Sequence, residues 1–182
     1  VGWAGDPVNT LSPAYADLFG RSETFVGLQV AAFGTGAALA SLGVGWVRGR
    51  LGLVDSARVG LVLLGVGLLG FAAAPHEAVV LLSLLIAGVG FLFGVTATNS
   101  NLQHRLDEDM RGRVMALWSM AFLGSRPIAG IIDGGVADLV SPRVGVLTAA
   151  LPLSVGWWAL GKVDDPPVVS ARPVEETPGP RL

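Results

Sequence analysis

The segment AVVLLSLLIAGVGFLFGVTATNSNLQ, residues Ala78–Gln103, decides the fold of this chain. Its 26 residues carry no charged side chain. The hydrocarbon core of a bilayer is about 30 Å thick, which roughly 20 residues of α-helix span. A β-strand of this length is excluded, because strands are usually about 3–10 residues long. The segment therefore predicts a transmembrane helix.

The composition of the whole chain has the same character. Of its 182 residues, 52% are hydrophobic and only 14% are charged, against about 25% charged in an ordinary soluble domain. Such hydrophobicity excludes a disordered chain, and a net charge of -2 with a pI near 5.6 supplies no basic surface for nucleic acid. There is no cysteine, so a disulfide framework is excluded. The class that remains is all-α, a polytopic transmembrane helix bundle.

Charged residues separate several more apolar runs along the chain. We predict a transmembrane bundle over residues 1–163 and a disordered tail over residues 164–182, where five prolines oppose helix formation. The chain does not begin with Met and lacks the pattern of a signal peptide, so its first run is interpreted as the truncated end of a helix from a longer protein. The predicted spans are residues 1–15 (partial), 24–47, 59–75, 78–101, 113–137 and 144–161.

The distribution of basic residues predicts the orientation. If the loops between these spans alternate between two sides, nine Lys and Arg residues fall on one side and two on the other. Cytoplasmic loops of membrane proteins carry an excess of Lys and Arg. The basic side, which includes the C-terminus and the tail, is therefore predicted to be cytoplasmic.

Small residues recur at a spacing of four, which is typical of close packing between membrane helices. The predicted packing stripes are Ala32-Gly36-Ala40-Val44, Ala37-Ser41-Gly45, Gly90-Gly94-Thr98 and Gly130-Gly134. Gly65–Gly70 matches GxGxxG by letters, but a dinucleotide site needs a preceding strand and a later acid. We interpret those glycines as packing residues too, and expect no cofactor.

Three motifs together resemble a known family. They are Asn99–Gln103, the segment Asp107–Met115 (DEDMRGRVM), and Ala121–Gly124 followed by Pro127. This pattern resembles the loop between helices ten and eleven of the major facilitator superfamily, in its enterobactin-exporter-like branch. The resemblance implies the C-terminal half of a secondary transporter, from the end of helix seven to helix twelve. It also implies efflux of small organic molecules by alternating access across a bacterial inner (plasma) membrane, with the missing N-terminal half as a partner.

The predicted cytoplasmic loops contain candidate gating residues. In the segment 107–114, acids suit a helix N-terminus and arginines lie at the water boundary. They form either a membrane-surface anchor with a helix cap or a latch that opens during transport. Between the first two full spans, Gly49 stands where the family often has an acid, which puts a charge relay there in doubt. The gating candidates are Asp109, Arg111, Gly112, Arg113, Arg48 and Arg50.

Arg126 and Asp133 lie inside a predicted span, at positions that are usually apolar in the family. A charge at the bilayer centre costs about 2.5–3.5 kcal/mol on insertion scales, so such residues are functional candidates. Their spacing of seven places them on one helix face, and Pro127 is expected to kink the helix. They either line a cavity that takes a substrate or proton, or lie near the helix ends and reach water. For Asp133, which is nearer the outer turn, the helix-end interpretation is preferred.

Asn99 and Asn101 complete the candidate set. Their amides either bind a small-molecule substrate or cap the end of the helix, and capping is the preferred interpretation. His76 and His104 are predicted on opposite sides, so no metal site is expected, and no catalytic residues are predicted. The alternatives to transport are a non-transporting membrane scaffold or assembly protein, and an intramembrane enzyme.

Overall fold

A computed structural model of the chain describes residues 2–163. The predicted tail, residues 164–182, lies outside the described residues. Every regular element in the described range is helical, which confirms the all-α transmembrane bundle. A short 3-10 turn at Trp3–Gly5 precedes six helices. They are α1 (Pro7–Leu18), α2 (Glu23–Ala73), α3 (Glu77–His104), α4 (Glu108–Leu139), α5 (Pro142–Leu147) and α6 (Ala150–Leu160).

The predicted connection between the spans 24–47 and 59–75 is shorter in the structure than the residues between them suggest. Helix α2 continues through this region and is interrupted only at Gly52, whose φ of 81° and ψ of 179° are not helical. That backbone conformation is open to glycine and strained for other residues. The Ser56 hydroxyl donates a hydrogen bond of 2.6 Å to the Gly52 carbonyl, which satisfies one backbone acceptor at the break. Gly52 thus divides α2 into a first arm, residues 23–51, and a second arm, residues 53–73.

Both arms of α2 pack against α3, so the chain must reverse at Gly52. A Cβ atom at Gly36, in the first arm, would collide with the Leu85 carbonyl oxygen. A Cβ atom at Gly60, in the second arm, would lie 2.8 Å from the Gly94 Cα. These contacts confirm the close packing predicted for Gly36 and for the stripe through Gly94. Gly45, by contrast, has no such neighbour within 4 Å.

Within residues 2–163, four helical stretches are long and apolar enough to cross a membrane. One of them is α2, whose two arms correspond to two of the predicted spans. Helices α5 and α6 together form the stretch Pro142–Leu160, with an interruption near Thr148. At the other end, α1 extends three residues beyond the predicted end of the first span at residue 15.

The buried apolar core lies where α1, α2 and α3 meet. Tyr15, Leu64, Phe71 and Leu84 are all essentially inaccessible, and the Tyr15 and Phe71 rings are 4.1 Å apart between centroids. Helix α4 is different, since its only buried residues are Ala129, Asp133 and Ala137. Large apolar side chains on α4 remain uncovered, among them Leu117, Met120, Leu123 and Ile131. The buried residues of α4 therefore lie on one narrow face of the helix.

Candidate functional site

The first part of the candidate site is an ion pair between α4 and the residue that precedes α1. Arg126 Nε lies 3.7 Å from Asp6 Oδ1, and the Thr10 hydroxyl donates a hydrogen bond of 2.6 Å to Asp6 Oδ2. Asp6 is 6% exposed, whereas the Arg126 side chain is 36% exposed. The two charged groups are therefore not in close contact. The Asp6 carboxylate is held inside the protein, and the Arg126 guanidinium remains accessible.

The second part is Asp133, whose side chain is fully buried. Its Oδ1 accepts a hydrogen bond from the Thr148 hydroxyl and a long one, 3.4 Å, from Trp3 Nε1. Its Oδ2 has no hydrogen-bond partner among the described residues. The preferred helix-end interpretation of Asp133 is thus wrong, because neighbouring helices enclose the carboxyl group instead of leaving it free to reach water.

The local sequence explains how these groups come together. Arg126, Gly130 and Asp133 follow the i, i+4, i+7 spacing of one helix face. Because Gly130 has no side chain, α1 can approach so closely that a Cβ atom there would lie 3.2 Å from both Asp6 Oδ2 and Thr10 Oγ1. Thr148 reaches the same face from the interruption between α5 and α6.

Arg126 and Asp133 share a face, as predicted, but each has its own partners. Together with Asp6, Thr10 and Thr148 they form what we call the polar cluster. Asp6, Thr10 and Thr148 were not predicted from the sequence. Asp6 gave one usable signal, since it is an acid in a mainly apolar block four residues before Thr10. With both carboxyl groups ionised, the cluster would carry one net negative charge.

Asn99 and Asn101 occupy two separate environments, away from the polar cluster. The Asn101 side-chain oxygen accepts a hydrogen bond of 2.6 Å from Arg105 Nε at the end of α3, which fits the helix-end interpretation. The Asn99 side-chain oxygen is buried and has no hydrogen-bond partner in the described part of the chain. Asn99 also lines a cavity between α3 and α4.

The gating candidates on α4 belong to a helix and not to a loop. Helix α4 begins at Glu108, with Glu108 and Asp109 in its first turn, as the acidic pattern predicts. Arg111, Gly112 and Arg113 follow on exposed positions. Within residues 2–163 no ion pair involves Arg111 or Arg113.

Arg48 and Arg50 lie at the end of the first arm of α2. Arg50 stacks over the Trp46 ring at 4.4 Å from its centroid, which is a cation–π contact. No hydrogen bond or ion pair connects either arginine with the segment 107–114 in the described structure. The latch remains a prediction.

A sequence model of the Major Facilitator Superfamily matches residues 2–182. The chain belongs to the major facilitator superfamily. No curated protein matches it. Membership confirms the resemblance at the level of the family and makes the chain an integral membrane protein of a transporter family.

Proposed function

We propose that this major facilitator protein exports small organic molecules by alternating access, and that the chain is its C-terminal half, from the end of helix seven to helix twelve. The enterobactin-exporter-like motifs support the branch. The uncovered apolar face of α4 supports pairing with an N-terminal half, since most of that helix has no neighbour among residues 2–163. The count of basic residues favours a cytoplasmic C-terminus in a bacterial plasma membrane.

The buried carboxyl group of Asp133, beside the Asp6–Arg126 pair, is the observation that carries the proposal. A carboxylate in an apolar environment is costly unless it is paired and fully hydrogen-bonded. Asp133 has one unsatisfied oxygen and no cation within hydrogen-bonding distance in the described residues. Because burial of this carboxyl group lowers the stability of the fold, a role in transport explains Asp133 better than a structural role does.

The Thr148 hydroxyl supports a role for Asp133 in holding a proton. This hydroxyl carries a single proton, yet it lies within hydrogen-bonding distance of two acceptors, Asp133 Oδ1 and, at 2.7 Å, the Gly145 carbonyl oxygen. A protonated Asp133 would donate to Thr148 while Thr148 donates to Gly145, and both contacts would then be satisfied. Protonation of Asp133 is thus compatible with the observed geometry.

Arg126 is the member of the cluster best placed to meet a substrate. Its guanidinium is partly accessible, and at 3.7 Å its contact with Asp6 is longer than a direct charge-assisted hydrogen bond, about 2.7–2.9 Å. An anionic or polar group of a substrate could therefore compete with Asp6 for Arg126. Binding of substrate at Arg126 and of a proton at the acids would then be coupled through Asp6.

Export is tested by comparing culture media of cells with and without the intact gene. Mass spectrometry should reveal small organic molecules whose extracellular level depends on the gene. Arg126→Leu should abolish that difference, and Arg126→Lys should restore part of it, because the charge is kept and the forked geometry is lost. Arg21→Gln is the matched control, since Arg21 forms an exposed ion pair with Glu77. Unchanged export by a normally expressed Arg126→Leu variant would refute the role of this cluster.

A further inference from the structure

An open groove lies on the surface between the second arm of α2 and α6. Val59 and Val62 of the arm and Trp157 of α6 belong to its apolar wall, and Asp55 and Arg58 lie at one end. None of its lining residues belongs to the polar cluster or to α4, on which the N-terminal half is proposed to pair. The groove is therefore a separate feature of the fold.

The apolar wall continues as a stripe of exposed side chains along the arm. Val59, Val62, Val66 and Leu69 follow the i, i+3, i+7, i+10 spacing of one helix face and are 37–58% exposed. They extend over ten residues, about 15 Å of helix, which is half of the roughly 30 Å hydrocarbon thickness of a bilayer. The stripe thus matches in length an acyl chain of a single leaflet.

Arg58 supplies hydrogen-bond donors at the polar end of this stripe. Its Nη1 lies 2.7 Å from Asp55 Oδ1, and its Nη2 donates a hydrogen bond of 3.0 Å to the Leu160 carbonyl oxygen. A guanidinium has five N–H donors, and those outside these two contacts have no partner within residues 2–163. Because the Arg58 side chain is 34% exposed, its remaining donors can reach a group at the mouth of the groove.

Two tryptophans mark this end of the groove as the level of the lipid headgroups. Trp157 lines the groove, and Trp157 and Trp158 are both exposed. Tryptophan is enriched where the membrane meets water. Lys162, two residues beyond the Leu160 carbonyl that binds Arg58, has its Nζ 3.7 Å from the centroid of the Trp158 ring. Two cations therefore lie at the end of α6, at the level where lipid phosphates are found.

The charge at this end of the bundle favours an anionic headgroup. The described residues 48–58, 105–113 and 162 lie at the same end of their helices and carry seven basic and four acidic side chains. Asp55 opposes an anion at Arg58, but an exposed i, i+3 ion pair is weak. Basic side chains near the membrane surface attract anionic lipids. A headgroup with a net negative charge should therefore bind better here than a zwitterionic one.

We propose that the groove between the second arm of α2 and α6 binds one phospholipid with a net negative headgroup. The lipid phosphate contacts Arg58, and an acyl chain lies along the stripe from Val59 to Leu69. The site needs no transported substrate, so it would bind lipid even in a protein that does not export.

Photo-crosslinking in vesicles tests the proposal. The intact protein is reconstituted in phosphatidylcholine vesicles that contain the same small fraction of one of two probes, phosphatidylglycerol or phosphatidylcholine, each with an identical diazirine-labelled acyl chain. Mass spectrometry maps and counts the crosslinked residues. We expect crosslinks at residues 59–69 and Trp157, at least about fivefold more with phosphatidylglycerol, since one basic residue near the surface contributes about that factor. Equal crosslinking by the two probes would overturn the proposal.

Variants of two arginines separate a local site from general surface attraction. Arg58→Gln should lower crosslinking by phosphatidylglycerol about fivefold, to the level of phosphatidylcholine. Arg48→Gln is the matched control, because it removes a positive charge at the same end of the bundle but outside the groove, and it should keep the preference. An equal loss in both variants would show that the surface as a whole attracts the lipid and would refute the site.

Two further measurements decide the proposal even if Arg58→Gln does not fold. Val62→Trp places a large side chain in the groove from an exposed position, so it should weaken crosslinking of the stripe by both probes. Crosslinking that survives Val62→Trp would refute an acyl chain in the groove. Excess glycerol 1-phosphate, a soluble phosphate ester, should not displace the lipid probe. Displacement would indicate a site for free phosphate and would refute a lipid site.

Discussion

Helix α3 meets the two arms of α2 through glycine, whereas the contacts of α4 with the start of α1 and with Thr148 include charged and hydroxyl side chains. In the first interface, backbones lie so close that a methyl group at Gly36, Gly60 or Gly90 would collide with backbone atoms. In the second, Asp6, Arg126 and Asp133 form long or incomplete contacts. The difference indicates that the α2–α3 interface is rigid, whereas the polar side chains around α4 can exchange hydrogen-bond and ion-pair partners.

The largest effect on stability is expected where glycine allows the two arms of α2 to approach α3 closely. Gly36→Leu should destabilise the protein by about 3 kcal/mol or more, because the new side chain collides with the Leu85 backbone. Thermal unfolding in detergent, followed by the loss of soluble monodisperse protein, measures this change. Gly34→Leu is the control, since no side chain or neighbouring backbone lies within 4 Å of a Cβ atom at Gly34. Equal damage from both substitutions would contradict a tight α2–α3 interface.

At the polar cluster, we expect a substitution that lowers transport strongly while it changes stability little. Asp133→Asn keeps the shape of the side chain and an acceptor for Thr148, so we expect the free energy of unfolding to change by less than about 1 kcal/mol. Transport should nevertheless fall by about tenfold or more, which corresponds to roughly 1.4 kcal/mol in the barrier. Export and thermal unfolding are measured on the same variant. A large loss of stability with full transport per folded molecule would make Asp133 a structural residue.

A smaller effect is expected where α1 approaches α4. Gly130→Ala places a methyl group 3.2 Å from Asp6 Oδ2 and Thr10 Oγ1, so these side chains must shift by a few tenths of an ångström. We expect a loss of about 1 kcal/mol and a several-fold lower export rate. Gly135→Ala, on an open face of the same helix, should leave export unchanged and stabilise the helix by about 0.5–1 kcal/mol. Similar export rates in the two variants would show that the approach of α1 is not critical.

The smallest effect is expected at the surface. Arg21 Nε lies 2.6 Å from Glu77 Oε1, and the Arg21 side chain is more than half exposed. Exposed ion pairs contribute about 0–1 kcal/mol and are weakened by salt. Arg21→Gln should therefore shift thermal unfolding slightly at low salt and not at high salt. A large, salt-independent shift would show that this contact is part of the packed interface.

Features that depend on composition could be predicted from the sequence. The apolar segment 78–101 lies within α3, and the acids near residue 108 begin α4, because length, hydropathy and helix-end charge are local properties. The packing role of Gly36 also follows from a local spacing. These predictions did not require knowledge of which helices are neighbours.

Features that depend on distant partners could not be predicted. The burial of Asp133 results from Trp3 and Thr148, which approach it from two other parts of the chain. A reversal between the spans 24–47 and 59–75 was predicted, but its confinement to Gly52 was not, because the positive φ is open to any of the 26 glycines of the chain. Only the packing of both arms on α3 selects Gly52.

The reversal at Gly52 leaves no spare chain between the two arms of α2. A helix turns by about 100° per residue. One amino acid inserted within an arm would therefore rotate the glycines beyond it away from α3, and no flexible loop is present that could restore their position. The two arms and α3 are therefore expected to move as one rigid unit. Any rocking movement in this chain would then have to occur at the interface between α4 and α1, where one polar contact can be replaced by another.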